Sequence, residues 1–112
     1  MIHFTPFDNI KDADVIIPYN EINNKLPLCN FMDNILLKIP SDLKVLTYTI
    51  EGDPIFNHII YDGENIKYIY NDLVLYKEYI GNRIVRSVIY DVIYYNLYNN
   101  NILIKTMFGY RN

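Results

Sequence analysis

Residues 44–71, KVLTYTIEGDPIFNHIIYDGENIKYIYN, decide the fold of this chain. From Lys44 to Glu51, Leu46, Tyr48 and Ile50 alternate with Val45, Thr47 and Thr49, the two-residue period of a half-buried strand rich in β-branched and aromatic residues. Glu51-Gly52-Asp53-Pro54 then turns the chain, because Gly takes positive φ readily and Pro fixes φ while withholding a donor. A second strand is expected from Ile55 to Tyr61. It ends in Asp62-Gly63-Glu64-Asn65, and an Asp-Gly pair between apolar runs signals a hairpin. Ile66 to Tyr70 follows as the third strand of an antiparallel meander.

Upstream, Leu28, Phe31, Met32, Ile35, Leu36 and Ile39 form one helical stripe, bracketed by Pro27 in the first turn and Pro40 after the last. A helix over about residues 27–39 is expected to lie on one face of the sheet, with Asn30, Asp33, Asn34 and Lys38 wet. Residues 1–26 have no sustained period. Phe4 and Phe7, flanking Pro6, read as an arm packed on the domain or meeting a partner, and Asp14–Ile17 as a short strand or turn.

Downstream, Asn71-Asp72 turns into a strand over Leu73–Ile80, and Gly81-Asn82 reads as a two-residue hairpin loop. Residues 84–98 fit both a strand and a helical stripe through Val85, Val88, Ile89, Val92, Ile93 and Tyr95. Their Ile, Val and Tyr content decides for strand, with Asp91 as a bend. Asn99-Asn100-Asn101 is a turn, and Ile102–Phe108 the last strand. The expectation is a single α+β domain: an antiparallel meander of about six strands over residues 44–108, with one α-helix packed on one face.

Thr47–Ile55, followed by Tyr61-Asp62-Gly63 and Ile66-Lys67-Tyr68, resembles the core motif of DUF4362, a family of small Bacillus-type proteins of unknown function. Asp14-Val15 and the helical segment fit the same layout, so the resemblance covers roughly residues 13–70. It implies no activity and no catalytic residue. Many members of that family look like secreted lipoproteins, whereas Met1-Ile-His-Phe-Thr-Pro has neither a basic start nor an apolar core, and a cytoplasmic location is expected.

A chain of 112 residues suffices for one core without metal or disulfide support. The single cysteine, Cys29, excludes an intrachain disulfide and reads as a small buried hydrophobe near the helix start. With 10 basic and 13 acidic residues, a net charge of -3 and no long block of either sign, nucleic acid is not an expected partner. Asn, Asp or Lys interrupts every apolar run, so no membrane span is expected. Ala13 is the only alanine, and Asn, Ile, Tyr and Lys are abundant, a bias that resembles an AT-rich bacterial or phage genome.

No glycine-rich phosphate loop, nucleophile elbow or paired Cys/His spacing occurs, so no catalytic residue, cofactor or metal is assigned. Glu51 and Asp53 lie more than about 20 Å from Asp62 and Glu64, at opposite ends of the second strand, and cannot share an ion. Asp62 is expected to face Lys44 across the hairpin. His58, with Phe56 and Ile60 on its face, reads as a satisfied half-buried residue, and His3 as loose.

Function is read from coverage. One helix cannot roof both faces of a six-stranded sheet. Either the sheet curls into a half barrel, or a tyrosine-rich face carrying Tyr68, Tyr70, Tyr76, Tyr79, Tyr94 and Tyr95 meets a protein target or a second copy. That makes the chain a small non-enzymatic binding protein, of a size and composition suited to a phage or mobile-element inhibitor of a host system. The alternative is a sponge or sensor holding a nucleotide or metabolite between sheet and helix or at a dimer seam, through His58, Arg83 or Arg86.

Overall fold

The computed structural model describes Phe4 and residues 6–112; His3 lies outside the described residues. Among them the order is β1 (Val15–Ile17), α1 (Leu26–Leu36), β2 (Ser41–Tyr48), β3 (Pro54–Tyr61), β4 (Ile66–Asn71), β5 (Tyr76–Gly81), β6 (Arg83–Ile89), β7 (Val92–Asn99) and β8 (Ile102–Arg111). The class is α+β, mostly strand with one α-helix. The strands number eight rather than about six, in two sheets: β1-β2-β3-β4-β5 and β6-β7-β8. The β2–β3–β4 meander has the expected antiparallel order, with Lys44 opposite His58 and His58 opposite Ile69. Val15–Ile17, inside the expected irregular arm, pairs in parallel with Val45–Thr47.

The split into two sheets happens at Gly81. Instead of a hairpin loop, Gly81-Asn82 is a corner at which the chain leaves β5 and enters β6 with a single residue between them. Hairpin loops of two residues rely on positive φ, and the positive-φ glycines are Gly52 and Gly63. Gly81 is required by close approach: a Cβ there would sit 2.5 Å from the Tyr98 carbonyl oxygen and 2.6 Å from Leu97 Cδ1. The Asn82 N–H donates to the Tyr98 carbonyl at 2.9 Å. Its side-chain amide donates to Asn100 Oδ1 at 3.0 Å while its Oδ1 accepts from the Asn100 N–H at 2.9 Å, clamping the corner to the β7–β8 turn. That turn uses left-handed Asn100 (φ 56). Residues 84–98 form two strands, with Asp91 in the loop after left-handed Tyr90.

The second sheet and α1 together cover the inner face of the first. Leu28 and Phe31 from the helix, Leu43, Ile59 and Tyr68 from the first sheet, and Tyr95, Leu97 and Phe108 from the second form one buried cluster. Each such side chain contributes about 1.5–3 kcal/mol by leaving water. The outer face of the first sheet is covered on one side by the N-terminal segment, where Phe7 packs edge-on against Phe56 at 5.0 Å in a small cluster with Leu46. The coverage problem posed by the strand pattern is thus met by a second layer and an arm.

The helix runs over Leu26–Leu36, not 27–39. It stops short of Pro40 because Lys38 adopts φ 58, and the Lys38 and Ile39 N–H groups return to the Ile35 and Asn34 carbonyls, a Schellman ending built without glycine. Leu36, the last helical residue, and Ile39 beyond the helix are exposed rather than part of a buried stripe. Cys29 is exposed rather than buried, one position off the Leu28–Phe31–Met32 stripe.

Candidate functional site

The six tyrosines do not form one surface. Tyr68 and Tyr95 are buried in the core, Tyr70, Tyr79 and Tyr94 are half-buried, and Tyr76 is exposed. Tyr68 stacks on Tyr79 with ring centroids 5.8 Å apart, and Tyr95 on Phe108 at 5.1 Å. Burial pushes the Tyr68 and Tyr110 phenols up, so both hydroxyls serve as neutral hydrogen-bonding groups. The expected tyrosine contact face is corrected accordingly: strand alternation points Tyr68 and Tyr95 toward one another's layer, and the layer itself is supplied by the second sheet.

The expected ligand contacts also diverge. His58 is buried on the outer face of the first sheet, where Nε2 lies 2.7 Å from Asp42 Oδ2 and Phe7 covers the ring edge-on. Arg83 and Arg86 stand three residues apart on β6, so they project from opposite faces, and Arg83 lies over the Tyr98 ring at 5.8 Å. Between helix and sheets, Phe31, Met32, Ile59 and Phe108 close the space, leaving about 0 Å³ for a water-sized sphere. A ligand held between sheet and helix has no room there. The two acidic turns lie at opposite ends of β3, and among the described residues no three His, Cys, Asp or Glu side chains gather as metal ligands. Asp62 does not face Lys44, which pairs with His58; it caps its own turn.

What the register does bring together is one end of the five-stranded sheet. The Pro18–Asn20 turn after β1, the Thr49–Asp53 turn between β2 and β3, and the Asp72–Leu75 turn between β4 and β5 all emerge there, because Ile17 pairs with Thr47, Tyr48 with Pro54, and Asn71 with Tyr76. At the last of these the expected strand over Leu73–Ile80 begins only at Tyr76. Asp72 Oδ1 accepts from the Val74 and Leu75 N–H groups at 3.0 and 2.7 Å, and its Oδ2 accepts from the Tyr70 hydroxyl at 2.9 Å. Asn71 Oδ1 accepts from the Leu73 N–H at 3.0 Å, and Leu73 itself sits at φ 75. These bonds spend the turn's polar groups internally and leave Leu73, Val74, Leu75 and Tyr76 in solvent, 68%, 96%, 45% and 58% exposed.

Asp62 and Asp72 are both held below the usual carboxylate range, first by backbone hydrogen bonds from Asn65 and Leu75 respectively. With folded values lower than unfolded ones, their stabilising effect is complete above pH of about 4 and is lost as pH falls through the lowered folded values. The thermal midpoint is therefore expected to fall between pH 5 and pH 2, and to fall less steeply in the Asp62→Asn/Asp72→Asn double variant, whose amide oxygens accept without titrating. Equal slopes in the two proteins would remove these turns from the acid sensitivity.

A family model, Domain of unknown function (DUF4362), matches residues 12–96. This chain belongs to the DUF4362 family. In this DUF4362 protein the match runs beyond Tyr70, where the sequence resemblance stops, to Asn96; it includes all three turns at the exposed end and leaves out β8. No curated protein and no solved structure matches the chain. Among the described residues of the DUF4362 protein no helix is long and apolar enough to cross a membrane. Neither the apolar tip nor Tyr19 stands out in the strand pattern; Asn71-Asp72 and Pro18-Tyr19-Asn20, both turn-forming, are the local signals that mark them.

Proposed function

We propose that this DUF4362 protein is a non-enzymatic binding protein that seats the Asp72–Leu75 tip in a concave apolar pocket of a protein target. The observation that carries this reading is the run of four consecutive exposed apolar residues, Leu73 to Tyr76, on a turn whose backbone is tied down by Asn71 and Asp72. Such runs work against solubility and do nothing for the core, so they mark contact surfaces. A turn already held in one conformation loses little entropy on docking. Tyr76, at the start of β5, extends the patch. The exposed free thiol of Cys29 suits a reducing compartment, and we place the protein in the cytoplasm. Its size and composition suit a phage or mobile-element inhibitor that occupies a host protein's pocket.

The test is a photo-crosslinking amino acid at position 74 in the producing cell, followed by binding measurements on the captured protein with the Val74→Asp/Leu75→Ser variant. Surface substitutions of this kind shift stability by about 0.5 kcal/mol. Affinity is expected to fall about 100-fold, as for hot-spot residues. If the variant binds as tightly as the parent, or position 74 captures nothing, the tip is not the contact. A dimer in light scattering that the variant dissolves would make the target a second copy.

A further inference from the structure

The second turn at the exposed end carries its own unexplained residue. Tyr19 has φ 51 and ψ 43, and Asn20 follows at φ 66, so an aromatic residue occupies the left-handed region that Gly or Asn fills with least strain. The ring does nothing for the fold in return, since the residue is 85% exposed. Two hollows of about 310 and 340 Å³ lie beside it, the first on the inner side of the β1–β2 pair against Ile17, Thr47, Thr49 and Gly109, the second on the outer side against Ile16, Pro18 and Tyr48. Each has the volume of a small ligand pocket.

The chemistry of the walls narrows the ligand. Around the first hollow stand Tyr19, Asn20, Thr47 and Thr49, and no Lys, Arg or His lines either one. Thr47 Oγ1 accepts from Asn57 Nδ2 and Thr49 Oγ1 from the Asp53 N–H, both at 3.0 Å, which leaves each hydroxyl proton to donate. Glu21, Glu51 and Asp53, adjacent in sequence to lining residues Asn20 and Gly52, are exposed and repel anions. Phosphate-bearing ligands are thereby disfavoured. A quaternary ammonium would use the Tyr19 ring and leave the hydroxyls and amide idle. A ligand that stacks an apolar ring face on tyrosine and offers hydroxyls at its rim uses all of them.

From this geometry we infer a binding site for a neutral saccharide in the first hollow, a sugar ring stacked on Tyr19 with its hydroxyls toward Asn20, Thr47 and Thr49. This site is separate from the Leu73–Leu75 tip, and neither depends on the other.

The experiment is amide NMR of the full chain titrated with cellotetraose, maltotetraose, chitotetraose and mannotetraose, with inorganic phosphate and choline as counter-probes. At least one saccharide is expected to shift the amides of Tyr19, Asn20 and Thr47–Thr49, while phosphate and choline leave them unmoved. Tyr19→Gly is expected to weaken that saccharide about tenfold or more by removing a stacking face. The same variant should unfold at an equal or higher temperature than the parent, because glycine relieves the left-handed strain. A merely structural Tyr19 would move stability down instead. Silence with all four saccharides, shifts with choline in their place, or full saccharide affinity in Tyr19→Gly would each overturn the assignment.

Discussion

Gly81→Ala is expected to lower stability by about 3 kcal/mol or more, and its thermal midpoint by more than about 10 °C. The new methyl would sit 2.5 Å from the Tyr98 carbonyl oxygen and 2.6 and 2.7 Å from Leu97 Cδ1 and Cγ. Neither neighbour yields cheaply: the carbonyl accepts the Asn82 N–H that makes the corner, and Leu97 is fully buried between the sheets. Relief requires opening the junction of β5 with β7, and that junction is where the chain changes sheet. A chain of this size has about 5–15 kcal/mol in hand, so the variant remains mostly folded with a much reduced margin. Gly52→Ala is the contrast. Gly52 has φ +92 with nothing within 4 Å of an added Cβ, so only backbone strain of about 1–2 kcal/mol is expected. Equal urea midpoints for the two variants would show that Gly81 is not held by close approach.

The second large effect is expected at Tyr68. Its hydroxyl, on β4 of the first sheet, donates to Asn57 Oδ1 and lies 3.2 Å from the Met107 carbonyl of β8 in the second, the buried polar link between the layers. Asn57 is itself 1% exposed and uses its amide on the Val45 carbonyl and the Thr47 hydroxyl, at 3.2 and 3.0 Å. Tyr68→Phe keeps the ring and its stacking but leaves Asn57 Oδ1 buried without a partner, which costs about 1–3 kcal/mol. Asn57→Leu leaves the Tyr68 hydroxyl with the Met107 carbonyl alone and carries a similar cost. The double variant should lose less than the two single losses together by about 1 kcal/mol or more, because removing both partners removes the unmet demand. Strict additivity in urea unfolding would mean that the Tyr68–Asn57 hydrogen bond, made within the first sheet, does not couple the two residues. Tyr68→Ala adds a cavity and should cost about 3–5 kcal/mol.

Tyr68 and Gly81 share a property that keeps their roles out of the local sequence. Tyr68 belongs to an alternating strand, and alternation says which residues share a side and not which side is wet. Gly81-Asn82 is as good a hairpin loop by composition as it is a corner. In both cases the deciding atoms, Met107 O and Tyr98 O, lie 39 and 17 residues further along the chain. The apolar tip is hidden in the sequence for the opposite reason. Leu73-Val74-Leu75 looks like strand, and the bonds that hold it as a turn come from Asn71 and Asp72, whose side chains compete locally with the ladder.

By itself the sequence determined what short-range forces determine: the β2–β3–β4 meander from two-residue alternation and the Asp62-Gly63 turn, the helix from its stripe and Pro27, and the family from Thr47–Ile55 and its flanks. Tertiary structure alone decided that the strands divide into two packed sheets, which tyrosines disappear between them, and which turns gather at the exposed end. Those outcomes depend on burial and close approach between segments tens of residues apart, and a periodicity carries no information about which partner will cover it.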